Sequence, residues 1–331
     1  MSKQQFDVLT IGNAIVDVIA RVDEGFVARE NLVKGSMNLI DEARAEQLYS
    51  HMGPAMEISG GCAGNTAAGV ASFGGTAAYI GKVKDDQLGS IYAHDMKSIG
   101  VHFGTPKAGD GPATGRSFIL VTPDGERTMS TYLGACVNLT SADVNHKVVE
   151  AAKVTYMEGF LFDKPEAKTA FRHAAKLARA AGRLTSITLS DSFCVERHRD
   201  DFLDLIKSSI DIVFANESEI KSLYRTQNFD GAAAAIAGDC PLAVLTRSHK
   251  GSLVVHGHER VIVPAHPVEQ VVDATGAGDL FAAGFLFGHT RGKPLRQSAA
   301  LGSLAAAEII SHTGARPEVN LLQLAQDNGL I

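Results

Sequence analysis

The sequence predicts an α/β fold, a doubly wound and mostly parallel sheet carrying helices on both faces. Three observations lead there. Through the second half of the 331 residues, short apolar runs alternate with stretches of helical period. The 33 glycines, against 10 prolines, are spread along the chain as they are where tight turns join regular elements. Between residues 101 and 135 the pattern changes to strand, Pro-Asp-Gly turn and strand, which predicts a smaller sheet with one wet face.

Each element has its own local reason. Residues 6–11 are apolar and closed by Gly12-Asn13, so they read as a buried strand, and residues 15–20 alternate. Residues 41–49 turn helical. Gly60-Gly61-Cys62-Ala63-Gly64-Asn65 leads into the small residues 66–71, a helix whose backbone can approach a sheet or a ligand closely. Residues 118–121 and 126–132 flank the Thr122-Pro123-Asp124-Gly125 turn. Strands follow at 154–158, 184–189, 210–215, 243–246, 252–256 and 261–264, with His256 and His258 at a hairpin tip on either side of Gly257. Helices are expected at 166–181, stopped by Gly182, and at 200–208, 216–224, 278–288 and 294–311. Without a linker, repeat or low-complexity tract, residues 1–331 read as one domain.

Composition narrows the function. Lys and Arg total 31 against 37 Asp and Glu, a formal charge of −6, so no basic footprint suits a nucleic-acid partner. Hydrophobic residues at 45% and charged residues at 21% are ordinary for a globular chain. No apolar run reaches the ~18–20 residues of a membrane span. Asp7, Asn13 and Asp17 interrupt the apolar start, so no signal peptide is expected and the cytoplasm is the predicted compartment. Cys62, Cys136, Cys194 and Cys240 stand too far apart for zinc or dithiol chemistry and read as small buried apolar residues. The 12 histidines show no ligand spacing.

The strongest local signal is Asp273-Ala274-Thr275-Gly276-Ala277-Gly278-Asp279, between Val271-Val272 and a helix of small residues. A Gly-Ala-Gly turn opening a helix bares backbone N–H groups where an anion would sit. Asp279 in that first turn either caps the helix or takes a proton from an attacking hydroxyl.

This segment resembles the C-terminal signature of the ribokinase-like (PfkB) family of carbohydrate and nucleoside kinases. Gly60-Gly61 with Asn65, then Gly74-Gly75 and Gly81-Lys82-Val83 with Asp86 and Gly89, resembles its N-terminal signature, although Lys84 stands where a glycine is common. Asn216-Glu217-Ser218-Glu219 resembles the family's Asn-x-x-Glu element, and Thr246-Arg247-Ser248 with Gly251 the strand and loop beside the nucleotide base. The four matches keep the family's order across nearly the whole chain.

The resemblance implies a ribokinase-like fold with a small β-sheet lid, its strands inserted from about 14–22, 33–40 and 101–135. It implies ATP as co-substrate, Asp279 as general base, and Gly276, Ala277 and Gly278 as an anion-binding turn. Asn216, Thr246, Ser248, Gly251 and Gly278 would bind nucleotide. Asn216 and Glu219 would hold Mg²⁺ through water, while the same pair is also a capping box. A monovalent cation, K⁺, would sit near Asp273, Thr275 and the carbonyls of 313–314.

Gly12-Asn13-Ala14-Ile15-Val16-Asp17-Val18 looks like the adenosine kinase branch, where Asp17 would hold ribose hydroxyls with help from Asn13, Gly61 and Asn65. Met129 and Leu133 would cover the base, Phe160 and Phe162 are further stacking candidates, and Arg127 could reach a phosphate. Each of these is also read as ordinary packing or an exposed strand arginine. The expected reaction is phosphorylation of adenosine at its 5′-hydroxyl. A kinase for ribose, fructose or a 2-keto-3-deoxy sugar acid is the alternative, and a catalytically silent sugar- or nucleotide-binding protein the non-enzyme one. A dinucleotide dehydrogenase is disfavoured, since no Gly-x-Gly-x-x-Gly follows the first strand. The chain is expected to be a monomer or a homodimer through the lid.

Overall fold

The computed structural model describes residues 5–331. In chain order the first strands are β1 Phe6–Ile11, β2 Ile15–Arg21, β3 Met37–Leu39, β4 Met56–Ser59, β5 Ala77–Ile80, β6 His102–Phe103, β7 Gly115–Val121 and β8 Arg127–Tyr132. The later ones are β9 Ala152–Glu158, β10 Leu184–Thr188, β11 Ile212–Asn216, β12 Leu242–Thr246, β13 Ser252–His256 and β14 Glu259–Val263.

Nine strands form the larger sheet in the order β14-β13-β12-β11-β10-β9-β1-β5-β6. Pairing is parallel from β12 to β6, and β13 and β14 add an antiparallel edge. Both faces are covered, and the strand sequences show why. In β1, Val8 packs with Ala63, Ala67 and Phe281 on one side, and Leu9 and Ile11 pack with Ala170 and Phe171 on the other. A parallel strand sandwiched this way has no need for a polar face. Each such side chain, fully buried, stabilises the fold by roughly 1.5–3 kcal/mol.

From β1 the chain reaches β5 on one side and later returns as β9 on the other. At such a switch point the flanking loops diverge and a crevice opens at the carboxyl ends of the strands. Asn13, Glu158, Asn216 and Thr246 all lie at those ends.

The second sheet has the order β3-β8-β7-β2-β4. The β7–β8 hairpin turns at Gly125, whose φ of 85° suits a residue without Cβ, and its N–H donates to the Thr122 carbonyl at 2.8 Å. Register puts Asp17, Ser117 and Thr131 side by side on one face. The other face buries Val16, Val18, Phe118 and Leu120 with Ala45 and Leu48 of the helix Glu42–His51.

Several expectations need correction. The segment 101–135 does not belong wholly to the second sheet. His102–Phe103 pairs with β5 in the larger sheet, where Phe103 joins an aromatic cluster with Tyr79 and Tyr92. β4 fills the other edge of the second sheet, and its four residues were too short a run to read. The helix expected at 200–208 extends over Ser192–Ser209, because Asp191 caps it by accepting from Cys194 N, and it kinks at His198. The helices Gln87–Ser98 and Phe229–Asp239 and strand β5 were not foreseen. Among the described residues no helix is long and apolar enough to cross a membrane, and the four cysteines are free.

Candidate active site

The helix Ala277–Thr290 begins at Gly276, whose backbone is left-handed with φ 79°. A Cβ there would press on Ala315. The preceding turn is held by one carboxylate. Asp273 Oδ1 accepts from Thr275 N (3.1 Å) and Thr275 Oγ1 (2.8 Å), and its Oδ2 accepts from Gly314 N (3.2 Å). The first-turn amides of Gly278 and Asp279 have no acceptor within the helix. Gly278 is exposed, with open space where a side chain would stand. A small anion could rest there against N–H groups and the positive end of the helix.

Asp279 stands beside this cradle. Its Oδ2 accepts from Asn65 Nδ2 at 2.9 Å, and its carbonyl from Thr66 Oγ1 at 3.2 Å. Burial pushes its carboxyl up to about 6, with Asn65, Cys62 and the charge of Arg316 pulling it down. That value leaves it mostly ionised near neutrality and basic enough to accept a proton.

Asn65 comes from the helix Cys62–Ser72, entered through Gly61 at φ 81°. Any Cβ on Gly61 would collide with the Asn13 carbonyl. A Cβ on Gly60 would collide with the Asp17 carboxylate in the same way. Asp17 is lifted to about 7, burial outweighing the pull of Arg316 and Arg127. Asn13 Oδ1 and Asn65 Oδ1 are buried and accept from no protein donor. Together these groups offer acceptors to something rich in hydroxyls.

Two residues central to this arrangement escaped the sequence reading. Glu158, 1% exposed at the end of β9, accepts from Asn13 Nδ2 (2.8 Å), Ala63 N (2.9 Å) and Asn13 N (3.3 Å), and burial raises it to about 7. Arg316 donates from Nε (2.9 Å) and Nη2 (2.7 Å) to the Ser59 carbonyl and from Nη1 to that of Gly64 (2.6 Å). The only sequence signal for Glu158 is a carboxylate ending the apolar strand Val154-Thr155-Tyr156-Met157. Arg316, in Gly314-Ala315-Arg316-Pro317, had none.

The nucleotide-side candidates converge. Asn216, Thr246, Ser248, Gly251, Ala277 and Gly278 line one cavity of about 390 Å³. A neighbouring cavity of about 90 Å³ shares Asn216, Thr246 and Gly278 and reaches Asp279, Cys62 and Glu219. Asn216 and Glu219 close their capping box reciprocally, and burial raises Glu219 to about 7. A larger cavity of about 540 Å³ lies apart from this chemistry, among Arg29, Glu30, Asn38, Arg44 and His51.

The remaining candidates line neither of the two nucleotide-side cavities. Phe160 packs against the core containing Phe171 and Phe202, and Phe162 stacks on Phe202 at 4.2 Å. An aromatic after a strand end looks the same in sequence whether it covers a base or a helix. Met129 is half-buried on the face of β8 that also carries Arg127 and Thr131, and Leu133 follows the strand's end. Arg127 contacts the Asp273 carboxylate, at 2.6 Å. The histidines around Gly257 are exposed at the β13–β14 tip.

A crevice at a switch point, an anion cradle and a raised carboxylate among hydroxyl acceptors define a phosphotransferase-like site. The family model for pfkB family carbohydrate kinases matches residues 7–320, and the chain belongs to that family, with its ribokinase-like fold. It is 58% identical to adenosine kinase from Sinorhizobium meliloti, whose structure superposes with a TM-score of 0.90 over 98% of this chain and 99% of that one. A probable sugar kinase from Rhizobium etli gives 54% identity and a TM-score of 0.91 over the full length of both chains. Adenosine kinase from Saccharomyces cerevisiae is 27% identical over 329 residues, 92% of this chain and 95% of that protein. The chain is accordingly an ATP-dependent carbohydrate or nucleoside kinase.

Proposed function

We propose that this kinase phosphorylates the 5′-hydroxyl of adenosine, with Asp279 as general base. The observation that carries the reading is the position of Asp279, a half-buried carboxylate lifted to about 6 next to the unpaired amides of Gly278 and Asp279. The acceptor oxygen bonds to the γ-phosphorus as the bond to the ADP oxygen breaks, and its proton passes to Asp279. The Gly278 and Asp279 amides take up charge on the transferring group. Asp17 accepts from vicinal ribose hydroxyls, and the free amide oxygens of Asn13 and Asn65 complete that set. The apolar side chain of Met129, on the sheet face that also carries Asp17, favours a base over a free sugar, as do the two relatives named adenosine kinase.

Mg²⁺ fits the acidic cavity that Glu219 and Asp279 line with Asn216. Asn216 and Glu219 would hold it through water, and it would neutralise nucleotide phosphate charge. Closure of the second sheet as a lid would exclude water from the acceptor site.

The relative named as a probable sugar kinase supports a second reading, a free-sugar kinase. Equal concentrations of adenosine, other nucleosides, ribose, fructose and 2-keto-3-deoxygluconate, with ATP and Mg²⁺, separate the two. Adenosine-dependent ADP release is the expected result. Turnover of sugars with none of the nucleosides overturns it, and no turnover with any acceptor points to a binding protein.

A further inference from the structure

Membership of the family raises the question of a monovalent cation at the Asp273 turn. The donors there are already engaged. Both Asp273 oxygens accept from Thr275 and Gly314, and Arg127 Nη1 lies 2.6 Å from Oδ2. The two side chains are only 9% and 8% exposed, so the carboxylate's charge meets a buried guanidinium rather than water. Arg127 Nη1 and Nη2 make no hydrogen bond, so the ion pair with Asp273 at 2.6 Å, with the charge of Asp17 acting beside it, is what compensates this cation's burial. A second cation at the same oxygens would displace Arg127 into isolation or sit against like charge. The site does not fit a potassium ion.

We propose that Arg127 is the resident cation of the Asp273 turn and a positioning residue for the anion cradle, so that this chain sets its cradle without a bound monovalent ion. The pair joins three segments far apart in sequence: β8 of the second sheet, the turn that opens the helix Ala277–Thr290, and the Gly314 loop. A dissociable ion could fix the turn but could not attach the second sheet to it. A guanidinium on β8 does both. The proposal's kinetic arm rests on the Gly276–Asp279 turn being the phosphoryl site; its calorimetric arm does not.

The test equilibrates the full chain in tetramethylammonium chloride and titrates KCl, with NaCl as control, at constant ionic strength. The wild type should show no saturable K⁺ response, its Tm moving by less than ~1 °C and its ADP release by less than ~1.5-fold. Arg127→Met should lower Tm and then gain a saturable K⁺ response, with Tm rising by ~4 °C and turnover by ~5-fold. Arg127→Lys, which keeps the charge, should stay indifferent to K⁺. A saturable, K⁺-specific rise of Tm in the wild type overturns the proposal. So does a folded Arg127→Met variant that ignores K⁺. Should Arg127→Met fail to fold, the wild type and Arg127→Lys still decide. If no acceptor is ever phosphorylated, the kinase reading fails while calorimetry still judges the cation.

Discussion

The two sides of the crevice are built from different materials. On the proposed acceptor side, Glu158 is sunk in the core with Asp17, Asp279 and Arg316 half-buried around it, and three of the four are carboxyls lifted to about 6 or 7 by desolvation. On the proposed nucleotide side, Thr246, Ser248 and Gly251 offer small polar groups and main chain along a wider cavity. Buried charge is costly to maintain and acts strongly where charge develops. Main chain and hydroxyls shape a surface that a large ligand meets at many points, each contributing little. Substitutions on the first side should therefore change rate and pH dependence, and those on the second chiefly apparent affinity.

The sharpest way to break this contrast is Asp279→Asn. Turnover should fall about 10³-fold with the folded state intact, as seen by ADP release and calorimetry on one preparation. A fall of less than tenfold would mean that the chemistry does not run through this carboxyl. Glu158→Ala comes next. It strands the Asn13 and Ala63 donors in a dry interior and should cost about 3 kcal/mol in urea unfolding. A change below about 1 kcal/mol would show that water replaces the carboxylate.

Arg316→Gln sharpens the electrostatics. Asp279 must be ionised to accept a proton, so kcat/KM should rise with pH through about 6 in the wild type. Arg316 draws Asp279 down, so its loss should move that limb upward by about one pH unit. An unmoved limb would make Arg316 a structural strut alone. The same carboxyls govern stability. Asp17, Glu158, Glu219 and Asp279 titrate above their ordinary values, so folding gains from their protonation below about 4, and that gain is lost as pH rises through 6 to 7. The unliganded chain should thus show a lower urea midpoint at pH 7.5 than at pH 5.5, and a flatter profile in Glu219→Gln. The smallest effect belongs to the nucleotide side. Thr246→Ala should raise KM for ATP by about threefold and leave kcat within twofold.

How much of this was legible in the sequence follows from the distance between partners. The Asp273–Asp279 turn and the Asn216–Glu219 box satisfy themselves within a few residues, so their chemistry shows in the letters. Glu158 meets Ala63 across 95 residues and Arg316 meets Ser59 across 257, and no local pattern announces either. Phe162 is a related case, since apolarity says that a ring is covered but not by what.

By itself, the sequence determined the periodicity that makes a buried parallel sheet, the glycines that let the chain turn at Gly61 and Gly276, and the order of the motifs along it. The tertiary structure alone decided which charges face one another. A carboxylate's basicity depends on the dielectric and the cations around it, and those come from segments hundreds of residues apart. Arg127 shows this most plainly: on its strand it is one more polar side chain, and only the packing of the second sheet against the turn brings it to Asp273.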